Sequence, residues 1–147
     1  AGIPTVLDID NLYPEAEKLL PLITFLISSS TFPERLTGET DLKTALRKLA
    51  GQYGCPFVAA TIGVDGALAY FRDQFIHAPA FSIPCQDTTG AGDAFHGGFT
   101  HGLLSGFSVE KTLRFANAVA GLKCRGLGAR TALPSVDEVN ALLAQAD

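Results

Sequence analysis

Gly90 and Gly92 flank Ala91, Asp93 follows at once, and Ala91–Leu104 reads as a helix, all inside the stretch DTTGAGDAFHGGFT of Asp87–Thr100. A helix start carries unpaired N–H groups and a partial positive charge. Glycines let a ligand come close to that backbone and permit unusual dihedrals. The run TGAG is therefore an anion cradle, with Thr88 and Thr89 adding hydroxyls. Asp93 falls in the first turn, where the helix dipole favours its charged form. A carboxylate beside such a cradle repels phosphate. It makes sense where it faces a neutral hydroxyl that must lose a proton while attacking phosphorus, with the cradle neutralising the moving phosphoryl group. The plainer readings stay open at this point: glycines that merely permit a tight turn, and an aspartate that caps its own helix.

The elements that must hold this stretch alternate along the chain. Thr5–Asp10 is a short β-rich run, Pro14–Leu20 a helical turn or two, and Ile23–Ser29 an apolar run of strand length. TFPERLTG is a turn or short helix ended by Gly38. Glu39–Ala50 places Leu42, Ala45, Leu46 and Leu49 at helical spacing, capped by Thr40 or Asp41. Pro56–Ile62 is a third strand, GVDG a turn, Ala67–Arg72 a returning strand, and Gln74–Pro79 its partner at an antiparallel edge. Val109–Lys123 is a helix capped by Ser108, RGLGAR breaks the pattern, and Ser135–Gln145 is a closing helix capped by Ser135. Strand, helix, strand, helix, strand is the rhythm of a parallel sheet with helices on both faces. Behind the cradle, Phe95, Phe99 and Leu103 share a face that anchors the helix in the core. Gly97, Gly98 and Gly102 each cost that helix roughly 1 kcal/mol against Ala, which predicts close backbone packing. His96 and His101 lie on different faces and form no metal pair.

The 147 residues suit one domain, and at 47% hydrophobic they can bury a sizeable core. A net charge of -4 with no basic block argues against nucleic acid as a partner. Apolar runs are too short to span a membrane, and no signal peptide is visible. Cys55, Cys85 and Cys124 show no metal spacing and read as free thiols in a reducing, cytoplasmic setting. The chain contains no Met and opens abruptly on AGIPTVLDID, so it is expected to be a piece of a longer protein.

Asp87–Thr100 resembles the C-terminal motif of the ribokinase-like (pfkB-type) carbohydrate kinase family at every position. It is not a Walker A loop, which needs GK[ST] after its glycines, nor a dinucleotide fingerprint, since Phe95 stands where a third glycine belongs. TIGVDGAL, Thr61–Leu68, is similar to the family's segment beside the nucleotide phosphates and ribose, with Thr61, Gly63 and Gly66 matching. RFANAVAGLKCRGLGA, Arg114–Ala129, resembles its adenine-side helix and loop, with Asn117 at the position that reaches the nucleotide. The resemblance implies a three-layer α/β/α fold whose mostly parallel sheet has antiparallel edge strands. It implies ATP and Mg2+ as cofactors and a sugar or sugar-like alcohol as acceptor. Asp93 would be the catalytic base, and Gly90, Ala91 and Gly92 the anion hole. Asp87 and Thr89 would help hold an activating monovalent cation such as K+, with carbonyls near Gly126 and Gly128 completing its shell.

Two departures accompany the match. Where the family carries Asn-x-x-Glu, tied to magnesium and phosphate handling, this chain reads SSTFPERLTG, with Ser29 and Phe32 at the two positions and Glu34 off register. The family's N-terminal half, with most sugar contacts and a lid through which a homodimer of the whole protein can form, has no counterpart here. Two functions therefore stand side by side: a sugar kinase, and a non-catalytic nucleotide-binding or regulatory module.

Overall fold

The structure is a computed structural model describing residues 2–145. The chain sorts into two compact units. One comprises the chain up to Ile62 together with Ala67–His77, and the other Gly63–Gly66 together with the chain from Ala78 onward.

The first unit carries a mixed five-stranded sheet in the order β1-β2-β3-β4-β5. Its strands are β1 (Val6–Ile9), β2 (Phe25–Ser29), β3 (Phe57–Thr61), β4 (Ala67–Phe71) and β5 (Gln74–Ala78). β1, β2 and β3 run parallel, with Leu26 opposite Val58 and Ser29 opposite Thr61. β3 and β4 are antiparallel, with Thr61 opposite Ala67. The reversal into β5 uses only Arg72 and Asp73, both at positive φ (49° and 61°), the geometry that tight hairpins favour. The central strands read as unbroken apolar runs because they are buried throughout: Phe57, Val58, Ala59 and Ala60 have 0% exposure.

Two helices complete this unit, α1 (Phe32–Thr37) and α2 (Leu42–Tyr53). Asp41 caps α2, its carboxylate accepting the Thr44 N–H at 2.8 Å. Ala45, Leu46 and Leu49 turn inward as their spacing predicts, joining Leu26, Phe32 and Val58 in the core. The helical turn or two expected at residues 14–20 are two short 3-10 turns, Ala16–Lys18 and Leu20–Leu22, which pass the chain into β2. Pro21 sits in the first turn of the second of these, where its missing N–H would be unpaired in any case.

The second unit is helical: α3 (Ala91–Leu104), α4 (Val109–Lys123) and α5 (Val136–Gln145). The Ser108 hydroxyl caps α4 through the Lys111 N–H. Ser135 and Glu138 form a reciprocal capping box at α5. α3 and α4 approach closely where α3 has no side chain. A Cβ on Gly98 would lie 3.0 Å from Ala116 Cα, and one on Gly102 2.9 Å from Thr112 Cγ2. Gly97 behaves differently, since a Cβ there would meet nothing within 4 Å. The close packing expected of all three glycines thus holds for two. Phe95 and Phe99 stack in the core, whereas Leu103 is only partly buried.

Candidate active site

The site is best built from the start of α3. Gly90 is its N-cap, at φ 76°. A Cβ there would come within 2.8 Å of Ala129 Cβ, so glycine is required twice, by dihedral and by space. No side chain caps α3. Its first amide, Ala91 N–H, donates to Thr88 O at 3.0 Å and closes a turn. Of the three residues expected to form the anion hole, Gly90, Ala91 and Gly92, the Ala91 amide is engaged internally. Among the described residues, the Gly92 and Asp93 amides have no partner, as the first turn of a helix leaves them. Gly92 itself is exposed, and a Cβ on it would meet nothing within 4 Å. Nothing internal to the protein demands glycine at that point, yet the helix bears its cost.

Asp93 is exposed in the same turn, and its carboxylate makes no hydrogen bond among the described residues. It does not cap its own helix, so that plainer reading falls. It opens onto a groove of about 440 Å³ lined also by Gly97, Val119, Arg130 and Leu133. His96 supports the turn from behind, its Nδ1–H donating to Gly92 O at 2.8 Å.

Asp87 ties this turn to the C-terminal end of α4. Its Oδ1 accepts the Thr89 N–H at 2.9 Å and the Thr89 hydroxyl at 2.7 Å, and its Oδ2 accepts the Gly128 N–H at 2.6 Å. These donors, Thr89 first, hold the carboxyl down at about 2. The Gln86 and Asp87 amides both donate to Cys124 O. Lys123 is wholly buried, and its Nζ donates to Asp87 O at 2.8 Å. Sequence reasoning passed over Lys123. The available signal was its spacing, four and seven residues after Val119 and Ala116, which puts it on the packed face of α4. Cys124 sits against Cys85 with its thiol pushed up by burial, and all three cysteines are free.

The segments matched to nucleotide contacts are joined by Asn117. This side chain is 5% exposed, and its Nδ2 donates to Ala78 O at 2.7 Å and Pro79 O at 3.2 Å. These two bonds make the Asn117 side chain a strut between α4 and the backbone that follows β5. The strut fixes residues 78–80 where Gly66 meets them: a Cβ on Gly66 would lie 2.1 Å from Ala78 O. Gly66 and Gly63 both hold positive φ (94° and 62°), and the Gly66 N–H closes the turn on Gly63 O. In the first unit, Thr61 ends β3 with its hydroxyl 3.4 Å from Ser28 O.

The two Asn-x-x-Glu positions are occupied structurally. The Ser29 hydroxyl donates to Asp10 O, Phe32 is 1% exposed in the core, and Glu34 points to solvent. Among the described residues no group of three or more His, Cys, Asp or Glu could hold a metal ion. Among the described residues no helix is long and apolar enough to cross a membrane.

Comparison with known proteins bears on the family and the fold. The pfkB family carbohydrate kinase pattern matches residues 1–136. The chain is 32% identical over 126 residues to an ATP-dependent 6-phosphofructokinase of Thermoanaerobacterium thermosaccharolyticum, covering 86% of this chain and 39% of that protein. It is 35% identical over 124 residues to a deoxyribokinase of Salmonella typhi, covering 81% of this chain and 40% of that protein. It therefore spans about two fifths of the length of these curated relatives. Its fold matches that of Arabidopsis thaliana ribokinase complexed with ribose and ATP, at a TM-score of 0.89 and 32% identity, over 97% of this chain and 48% of that one. The ribokinase-like α/β fold and the glycine–aspartate turn lead to one conclusion: the chain belongs to the pfkB family of carbohydrate kinases.

Proposed function

We propose that this chain forms the C-terminal, nucleotide-side part of an ATP-dependent sugar kinase. The whole protein moves the γ-phosphoryl group of ATP to a hydroxyl of a sugar or sugar-like alcohol. One observation carries the reading: α3 starts with unpartnered amides at Gly92 and Asp93, beside an uncommitted Asp93 carboxylate. Donors aimed at a moving phosphoryl and a base aimed at the attacking hydroxyl are the two things such a transfer requires.

In this reading ATP lies along the Gly63–Gly66 turn and the α4 side, with Thr61 feeding that turn from β3. Asn117 positions the turn through residues 78–80 rather than touching the nucleotide. Magnesium would be held chiefly by the ATP phosphate oxygens, where it would offset their negative charge. Asp93 accepts the proton of the acceptor hydroxyl as its oxygen attacks phosphorus, and ADP leaves. The free thiols suit a cytoplasmic location.

The test is Asp93→Asn in the whole protein, incubated with ATP, magnesium and a panel of sugars. Turnover is expected to fall by about 10²–10⁴-fold, the usual worth of a general base, with nucleotide binding retained. Near-normal turnover would sink the assignment. The second reading, a nucleotide-binding module without catalysis, draws support from Phe32 filling the place of the family's glutamate. Nucleotide binding with no ADP formed from any sugar would favour it.

A further inference from the structure

The family resemblance implies a monovalent cation at Asp87 and Thr89, and the residues present do not fit one. Three N–H and O–H donors already occupy most of the accepting positions of the Asp87 carboxylate. One of these donors is the Gly128 N–H, 2.6 Å from Oδ2. The main-chain oxygen of Asp87 accepts from the Lys123 ammonium at 2.8 Å. We propose that Lys123 takes the place of the cation, so that the protein carries its own positive charge beneath the α3 turn and works without potassium. The proposal rests on reading Asp87–Asp93 as a kinase site.

An ammonium and a potassium ion are alike in charge and close in size, and both are held by carbonyl oxygens. Lys123 is 0% exposed, and a buried ammonium persists only where partners offset its lost hydration. Two are at hand. Asp87 supplies an accepting carbonyl and a nearby negative charge. Lys123 also lies in the last turn of α4, where the helix end is negative. A second cation bound at the same oxygens would face a like charge at short range. The effect on the site is transmitted by short covalent steps. Asp87 is followed by Thr88, whose carbonyl accepts the Ala91 N–H, and by Thr89, which precedes the Gly90 cap. Lys123 is thus a positioning residue: it holds the strand of backbone that sets the height of the α3 amides. A mobile ion does this only when bound, whereas a tethered ammonium does it always.

The experiment titrates the whole protein from choline chloride into potassium chloride at constant ionic strength, reading melting temperature and, where a sugar is turned over, rate. The unmutated protein is expected to show a flat response in both. A saturable potassium-dependent rise in either would overturn the proposal, because an ion that binds only the native state stabilises it by mass action. Lys123→Met keeps the volume and removes the charge. In choline it is expected to lose about tenfold or more of its turnover, as misplaced catalytic groups do. Potassium or ammonium should restore part of that turnover and raise its melting temperature. A variant matching the unmutated protein in choline, or one whose loss potassium does not repair, would also overturn the proposal. If the Met variant does not fold, the potassium response of the unmutated protein decides. If no sugar is phosphorylated, the kinase reading fails while the melting-temperature arm still tests Lys123.

Discussion

Among the described residues two α-helices, α1 and α3, begin without a side-chain cap, and they begin in opposite ways. α1 starts with Phe32 and Pro33, both buried. The proline has no N–H to leave unpaired, and the phenylalanine closes the end with core packing. α3 starts with Gly90, Ala91, Gly92 and Asp93, keeps its second and third amides open, and exposes its carboxylate. The remaining helices carry caps from Asp41, Ser108 and Ser135. An uncapped start is thus informative only with its surroundings: α1 has nothing to offer a ligand, and α3 has donors and space.

The comparison breaks most visibly at Phe32. Phe32→Glu restores the family's carboxylate in type but places it in the core. Destabilisation of at least about 3–5 kcal/mol is expected from lost packing alone, with burial of the charge adding to it. Chemical denaturation of the whole protein measures this. A mild effect would mean that the α1 start can open.

The glycines at α3 sharpen the contrast next. Gly90→Ala should cost about 1–3 kcal/mol, since a methyl group is forced against Ala129 in a left-handed backbone. Gly92→Ala should leave stability unchanged or raise it by up to about 1 kcal/mol, because its Cβ meets nothing. The same change should weaken nucleotide binding and slow transfer. Paired melting curves and nucleotide titrations separate the two residues. A Gly92→Ala protein with full activity would show that the open space at α3 serves no ligand.

The smallest effect concerns acid. The Asp87 carboxyl is held at about 2, below its ordinary 3.8. Its contribution is complete above the unfolded value and is lost as pH falls through the folded one. The melting temperature should therefore drop between those two pH values, and Asp87→Asn should flatten that part of the profile. An unchanged profile would mean that Thr89 and Gly128 do not favour the charged form.

Most of the elements were legible in the chain because each announces itself locally. Leu42, Ala45, Leu46 and Leu49 mark α2 by spacing alone, and Ser108 and Ser135 mark helix starts by their chemistry. The residues around 14–20 were legible only as a helical turn or two, because 3-10 turns share one apolar pattern with a short α-helix. In the site, Gly90, Gly92 and Asp93 stood out because dihedral freedom and charge at a helix start are properties of consecutive residues.

What the sequence by itself determined is therefore the list of groups at the turn and their order along the backbone. What only the tertiary structure decided is which of those groups remain available. Asn117 is spent on Ala78 and Pro79, the Ala91 amide on Thr88, and the oxygens of Asp87 on Thr89, Gly128 and Lys123. Several of these partners lie dozens of residues away in the chain. A hydrogen-bond donor or acceptor is committed by whatever folding brings within about 3 Å of it, and local spacing carries no record of that.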